Sequence, residues 1–477
     1  QVEIIKGPAS LLYSNGVIGG IVNVVDETIA RTDVEGVDIS LGLETQSVNE
    51  GDAQTASFAT NIGGFNIFAA YSDSDLENYD VPDGAVIHEE EEHHDEDEHH
   101  DEDEHEGEEE HHDDEHEEES GFVNNSDFAT TKSRFGISRT GDWGHIGLSY
   151  SDSESVYGIP FHGDDHSGHG GHDDHDEHGD EHGDNHDEDE HEDEEEHHDE
   201  DEHEEEIEVI DSDDSATSFA VSVSRDMNEN FSVNLGFASV GRAPAATEML
   251  MNGPHLATRR FERGNPNLKA ERSNNLDFTL NFENQGYFGE LTLFSNSVSD
   301  YIYLMDETEE EHEEHEEEHD DHGGLILAEF LQQDADFTGY ELEIGKTFDL
   351  SRGNLTLSYG RDSVTAEFSN GGNVPRIIPA RNIYSIAYLE DTLAVRLSLK
   401  DVGEQSDTAI GETATEGYQM LNLRASKSIQ FDSGLVLNLT AFGNNLMDEV
   451  ARNHSSFVKN EVPLPGRNLG VKFSIDI

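Results

Sequence analysis

Three stretches of the chain concentrate side chains that can ligate metal ions. Residues 88–119, 162–206 and 306–322 carry 9, 12 and 4 of the 28 histidines and 22, 25 and 12 of the 110 acidic residues, with no lysine or arginine. Adjacent imidazoles occur at His93-His94, His99-His100, His111-His112 and His197-His198, and a wider spacing of three or four residues links His166, His169, His172, His175, His178 and His182. The last run repeats that spacing at His312, His315 and His319. Imidazole with carboxylate suits zinc, and imidazole also suits nickel, cobalt and copper(II). Carboxylate alone would favour calcium or magnesium. Each site in such a run is weak and exchangeable, because loose chain must lose conformational entropy to close around an ion. Together the runs hold 59 acidic residues, a field that gathers cations and speeds their encounter.

The runs distort the average composition. The chain has 477 residues, 33% apolar, with a mean hydropathy of −0.71, values that suit a soluble or disordered protein. Without the runs the net charge falls from −85 to −26, and ordinary patterned sequence remains. That remainder is the folded part. Its acidity excludes nucleic acid, whose phosphates need clustered Lys and Arg. No apolar stretch approaches the roughly 18 residues of a transmembrane helix, and Gln1-Val2-Glu3-Ile4-Ile5-Lys6 lacks the layout of a signal peptide. The absence of cysteine removes disulfides and thiolate ligands. Nothing catalytic is visible: there is no Gly-rich phosphate loop and no Gly-x-Ser-x-Gly turn. The HEEHEEEH string lacks the apolar helix that a zinc-protease motif needs. The chain reads as no enzyme.

What must position the runs is a set of strands. Leu276, Phe278, Leu280 and Phe282 alternate with polar residues, as do Val37, Ile39, Leu41 and Leu43. Val395, Leu397 and Leu399 repeat the pattern, and so do Val471, Phe473, Ile475 and Ile477. One apolar and one polar face fit a barrel wall between lipid and a polar lumen, and they also fit a soluble sandwich or solenoid. Asn61-Ile62-Gly63-Gly64, Gly141-Asp142 and Glu390-Asp391 read as short turns, which leaves the long polar insertions on the opposite side, outside the cell.

The first residues narrow the choice. "VEIIKGPASLLYSNGVIGGIVNVV" resembles the end of the plug domain of TonB-dependent outer-membrane receptors. "GRAPAATEMLMNGPHLATRRFERGNPNLKAERSNNLD" resembles their mid-barrel segment, and "FGNNLMDEVARNH" with "PLPGRNLGVKFSIDI" resembles their last two strands. The zinc-uptake group is the most similar, through Tyr157-Gly158-Ile159-Pro160-Phe161-His162 and through Asn252-Gly253-Pro254-His255 with Phe261-Glu262 and "GNPNL".

This resemblance implies an all-β fold, a transmembrane antiparallel β-barrel of about 22 strands, with the C-terminal remnant of an N-terminal plug. Residues 1–30 would be plug and residues 31–477 barrel, with the runs as disordered extracellular loops. The chain would be a fragment lacking most of the plug, and its final Ile477 departs from the family's usual Phe or Trp. The implied function is active import of a transition-metal ion, with zinc favoured, across the bacterial outer membrane. The TonB–ExbB–ExbD complex would energise it, with membrane lipid and the metal ion as further partners. Zinc is then bound cargo, and no cofactor is expected. His255, His162 and Glu262 are candidate ligands of a tighter site, whereas isolated histidines such as His145 and His454 read as surface or lumen residues. The alternative is a receptor for a siderophore or other nutrient, with the acidic loops as surface decoration. A metal-buffering surface protein without transport is a third reading.

Overall fold

The computed structural model describes residues 2–6, 20–24, 28–87, 121–160, 217–308 and 325–477. Strands β1 (Val2–Lys6) and β2 (Gly20–Val24) pair antiparallel as a separate two-stranded sheet. The other eighteen strands belong to one sheet. Its first half comprises β3 (Val37–Gln46), β4 (Asp52–Ile62), β5 (Phe65–Leu76), β6 (Phe128–Gly141), β7 (Gly144–Tyr157), β8 (Phe219–Asn228) and β9 (Phe231–Arg242). A short helix, α1 (Ala246–Leu250), precedes the hairpin of β10 (Asn252–His255) and β11 (Arg260–Arg263). The wall continues with β12 (Glu271–Asn284), β13 (Tyr287–Asp306), β14 (Ile326–Asp349), β15 (Asn354–Phe368), β16 (Arg381–Glu390), β17 (Leu393–Val402), β18 (Tyr418–Gln430), β19 (Val436–Asn444) and β20 (Asn468–Asp476).

Neighbouring wall strands pair antiparallel, β12 pairs with β9 across the inserted hairpin, and β20 returns to β3 with Phe473 opposite Leu43. Among the described residues no ladder joins β7 to β8, and both strands are exposed along their length. The resemblance implies about 22 strands; the described residues place eighteen in this sheet.

Two-residue alternation sets the two faces of the wall. On β3, Val37, Leu41 and Leu43 stay 57%, 49% and 62% exposed, and on β20 Leu469 and Phe473 do the same at 53% and 48%. So much uncovered apolar surface needs lipid against it. The opposite face is polar and internally bonded: Lys472 Nζ lies 2.9 Å from Glu44, and Ser40 donates to Asp476 at 2.6 Å. No helix among the described residues is long and apolar enough to cross a membrane.

Turn chemistry gives the wall a direction. Gly63 and Gly64 link β4 to β5 with φ of +62° and +83°, a two-residue hairpin that other residues enter only with strain. Gly141 to Gly144 and Glu390 to Leu393 close equally short turns at the same rim. The expected turns are therefore present. β5, β7 and β13 all start at that rim, so the chain stretches carrying the three histidine runs leave from the opposite one. One boundary differs from expectation: Asp306, read as the first residue of the third run, is the last residue of β13, where a buried arginine partners it.

Candidate functional site

The β10–β11 hairpin stands at the long-loop rim. Among the described residues β10 pairs only with β11, so its other edge tolerates Pro254, which has no N–H to donate. A three-residue turn, Leu256 to Thr258, and Arg259 at φ +52° reverse the chain. The ladder sets His255 opposite Arg260 and Gly253 opposite Glu262, which places His255 and Glu262 as diagonal neighbours on one face.

His255 Nδ1 lies 2.6 Å from Glu262 Oε1. An ionised carboxylate can only accept, so Nδ1 carries the proton and donates. Thr258 Oγ1 also donates to Glu262 at 3.4 Å and to the His255 carbonyl at 3.0 Å. The histidine side chain is 48% exposed, the glutamate 12%. In a neutral imidazole fixed this way, Nε2 keeps its lone pair for a metal ion. Parallel pairing of β11 with β14 sets Arg260 beside Ile326 and Glu262 beside Ala328. The pair thus sits next to the point where the chain re-enters the wall after the third run.

A buried ionic network holds this hairpin. Arg260 donates to both Asp306 oxygens, Nε at 2.8 Å and Nη2 at 2.7 Å, the two-point geometry that favours arginine. Arg376, in the β15–β16 connection, comes within 3.9 Å of the same carboxylate and donates to the Leu304 carbonyl. The Phe457 ring lies 4.7 Å from the Arg260 guanidinium and 3.9 Å from that of Arg376, so both cations rest against one aromatic ring.

The network continues through Glu412 in the β17–β18 connection. The Arg376 N–H donates to Oε1 at 3.0 Å and the Ala409 N–H to Oε2 at 3.1 Å. Lys459 Nζ lies 3.3 Å and His454 Nε2 3.1 Å from Oε1, both from the β19–β20 connection. Burial pushes the Glu412 carboxyl up, but His454, the Ala409 N–H and Lys459 together outweigh it and hold the group at about 2. Burial also pulls the Lys459 ammonium below its ordinary range, against the attraction of Glu412. His454 itself is 2% exposed and shares a 2.9 Å hydrogen bond with Thr415 through Nδ1.

The structure therefore brings together two of the expected ligands, His255 and Glu262. Glu262 is already engaged by His255 and Thr258, which suits an orienting role. His162 and all the run histidines named from the sequence lie outside the described residues. His145 sits exposed on β7, as expected. His454 departs from the expectation of a surface or lumen residue, because partners from separate loops enclose it and no local spacing announces them. Among the described residues no three His, Asp or Glu side chains converge on a common metal position.

Three solved structures share this fold over the whole chain. The copper transporter OprC superposes with a TM-score of 0.66 at 13% identity, with 86% of that protein covered. The FrpB iron transporter from Neisseria meningitidis (F3-3 variant) gives 0.58 at 11% identity and 87% coverage. A mutant (Q482A) of the ferric enterobactin receptor PfeA from Pseudomonas aeruginosa, in complex with enterobactin, gives 0.54 at 12% identity and 86% coverage. At such identities the likeness speaks for the fold alone. Residues 174–446, more than half of the chain, match the family model "TonB dependent receptor-like, beta-barrel". With its lipid-facing strands, short turns at one rim and long connections at the other, the chain belongs to the TonB-dependent receptor family of the bacterial outer membrane, whose members are receptors and transporters that work with the TonB complex and not enzymes.

Proposed function

We propose that this receptor imports a transition-metal ion, zinc favoured, and that residues 1–30 are the last part of its plug. The observation that carries the reading is the His255–Glu262 pair, an imidazole turned by a carboxylate at the rim from which the acid- and histidine-rich stretches depart. The neighbours named above include metal and siderophore systems, so ion or chelate must be argued from this chain's own donors. Those donors are imidazoles and carboxylates, the set that binds borderline divalent metals.

The mechanism follows from that chemistry. The 59 acidic residues of the runs concentrate cations over the rim, and the 25 histidines among them bias capture toward transition metals. Weak ligands exchange the ion from site to site. His255, oriented by Glu262, takes it through Nε2 beside the wall and passes it toward the lumen. Energy comes from the TonB–ExbB–ExbD complex acting on the plug.

The test is metal accumulation by a deletion strain under zinc starvation and under iron starvation. Import of zinc predicts induction by zinc shortage and a zinc deficit in the deletion strain. Unchanged zinc with induction by iron shortage would assign the receptor to a chelate instead.

A further inference from the structure

A lysine on the lipid-facing side of the wall has partners that neither import nor plug docking uses. Lys346 lies on β14 three residues from its end at the short-turn rim, directly opposite Tyr287, the first residue of β13. Its neighbours on the same face are apolar: Ile344 and Phe348 at alternate positions, and Leu357 across the β15 ladder. The ammonium sits 3.9 Å from the Tyr287 ring centre and 4.9 Å from that of Phe348. Among the described residues no carboxylate pairs with it. A cation that faces lipid without a counter-ion is costly unless its head reaches the interface. The two rings hold it there.

Beside it the outer surface is hollow. A groove of about 650 Å³ runs from Lys346 toward the middle of the wall, lined by Leu280, Phe282, Leu291, Leu342, Ile344 and Leu357. Gly289 forms its floor, between Phe282 on one ladder and Ile344 on the other. A Cβ added to Gly289 would meet Ile344 at 3.5 Å and the Glu343 carbonyl at 3.6 Å, ordinary contacts, so packing within the wall does not require glycine there. The other large outer groove, about 570 Å³ over β18 to β20, has no lysine or arginine in its lining. A smaller apolar groove of about 250 Å³ is lined by Lys427, but that ammonium already donates to Thr392 at 2.7 Å.

We propose that this face of β12 to β15 binds one phospholipid of the inner leaflet, its phosphate on Lys346 and one acyl chain in the groove over Gly289. The shape follows an amphiphile: charge at the interface and hydrocarbon toward the midplane. A bound lipid supplies the counter-ion that the protein withholds and covers a depression that bulk lipid would fill poorly.

The full chain, delipidated and refolded in detergent, is offered phosphatidylglycerol and examined by native mass spectrometry. The unmodified protein should retain one phospholipid. Lys346→Ala and Gly289→Leu, one removing the charge and one filling the trough, should each lower retention at least about five-fold. Lys346→Arg should keep it, and Lys427→Ala, whose ammonium already donates to Thr392 at 2.7 Å, should match the unmodified protein. Folding of each variant is checked by its heat-modifiable mobility. Millimolar inorganic phosphate should not displace the lipid. Equal retention in Lys346→Ala and Lys427→Ala would overturn the proposal, and so would full displacement by phosphate, which would mean that no acyl chain is held.

Discussion

The two histidine–glutamate pairs at the long-loop rim differ in what remains open. His454 and Glu412 lie enclosed in the loop network, where Thr415 engages His454 Nδ1, and Lys459, Ala409 and Arg376 engage the Glu412 carboxylate. His255 and Glu262 form a shorter contact, 2.6 Å against 3.1 Å, but the imidazole is half exposed and, among the described residues, only its Nδ1 is engaged. The same residue types thus do opposite work. Where loops enclose a pair it ties them together, and where the imidazole stays half exposed it is available to a passing ion. A histidine beside a carboxylate does not by itself make a binding site; access to the imidazole does.

Removing the shared carboxylate of the network should have the largest effect. Asp306→Ala would leave the buried Arg260 guanidinium without its two-point partner and take a nearby anion from the partly buried Arg376, at a cost of about 3–5 kcal/mol. Hydrogen exchange should show protection falling in the β10–β11 hairpin and in the β15–β16 connection while the wall strands keep theirs. Undiminished protection in both loops would remove the structural half of the comparison.

Glu412 should give the next largest change, and it depends on pH. Its folded-state value of about 2 lies below the ordinary 4.5, so its stabilisation is present above about pH 4.5 and fades as pH falls toward 2. The shift corresponds to roughly 3 kcal/mol at most. Glu412→Gln should flatten the loss of loop protection across that window, and a slope identical to that of the unmodified chain would show that another carboxylate sets it.

The smallest effect on stability should come from the open pair. His255→Ala should cost no more than about 0.5 kcal/mol, as expected for an exposed side chain. Zinc titration of the same variant should nevertheless show the tightest class of sites weakened about tenfold. His454→Ala should do the reverse, loosening the loops and leaving zinc affinity unchanged. If both variants lose affinity alike, the two pairs are not different in kind.

The wall was legible because a sheet has a period of two. Val37 to Leu43 and Leu276 to Phe282 display both faces directly, and Gly63-Gly64 marks its turn by the backbone it must adopt. His255 and Glu262 came from resemblance, and their mutual contact needed the hairpin register. The network was not legible. Arg260 and Asp306 are 46 residues apart at the ends of strands that do not pair with each other, and Thr415 and His454 are 39 apart in irregular connections, so no periodicity points to either partner. Asp306 was hidden further by the acidic run that begins beside it.

The most direct test of import is uptake of radiolabelled zinc by cells carrying the full receptor, with the energising complex intact or inactivated. Zinc should accumulate only with the complex intact, and His255→Ala should slow it while His454→Gln, if folded, does not. Zinc accumulation that is indifferent to both the complex and His255 would contradict the account.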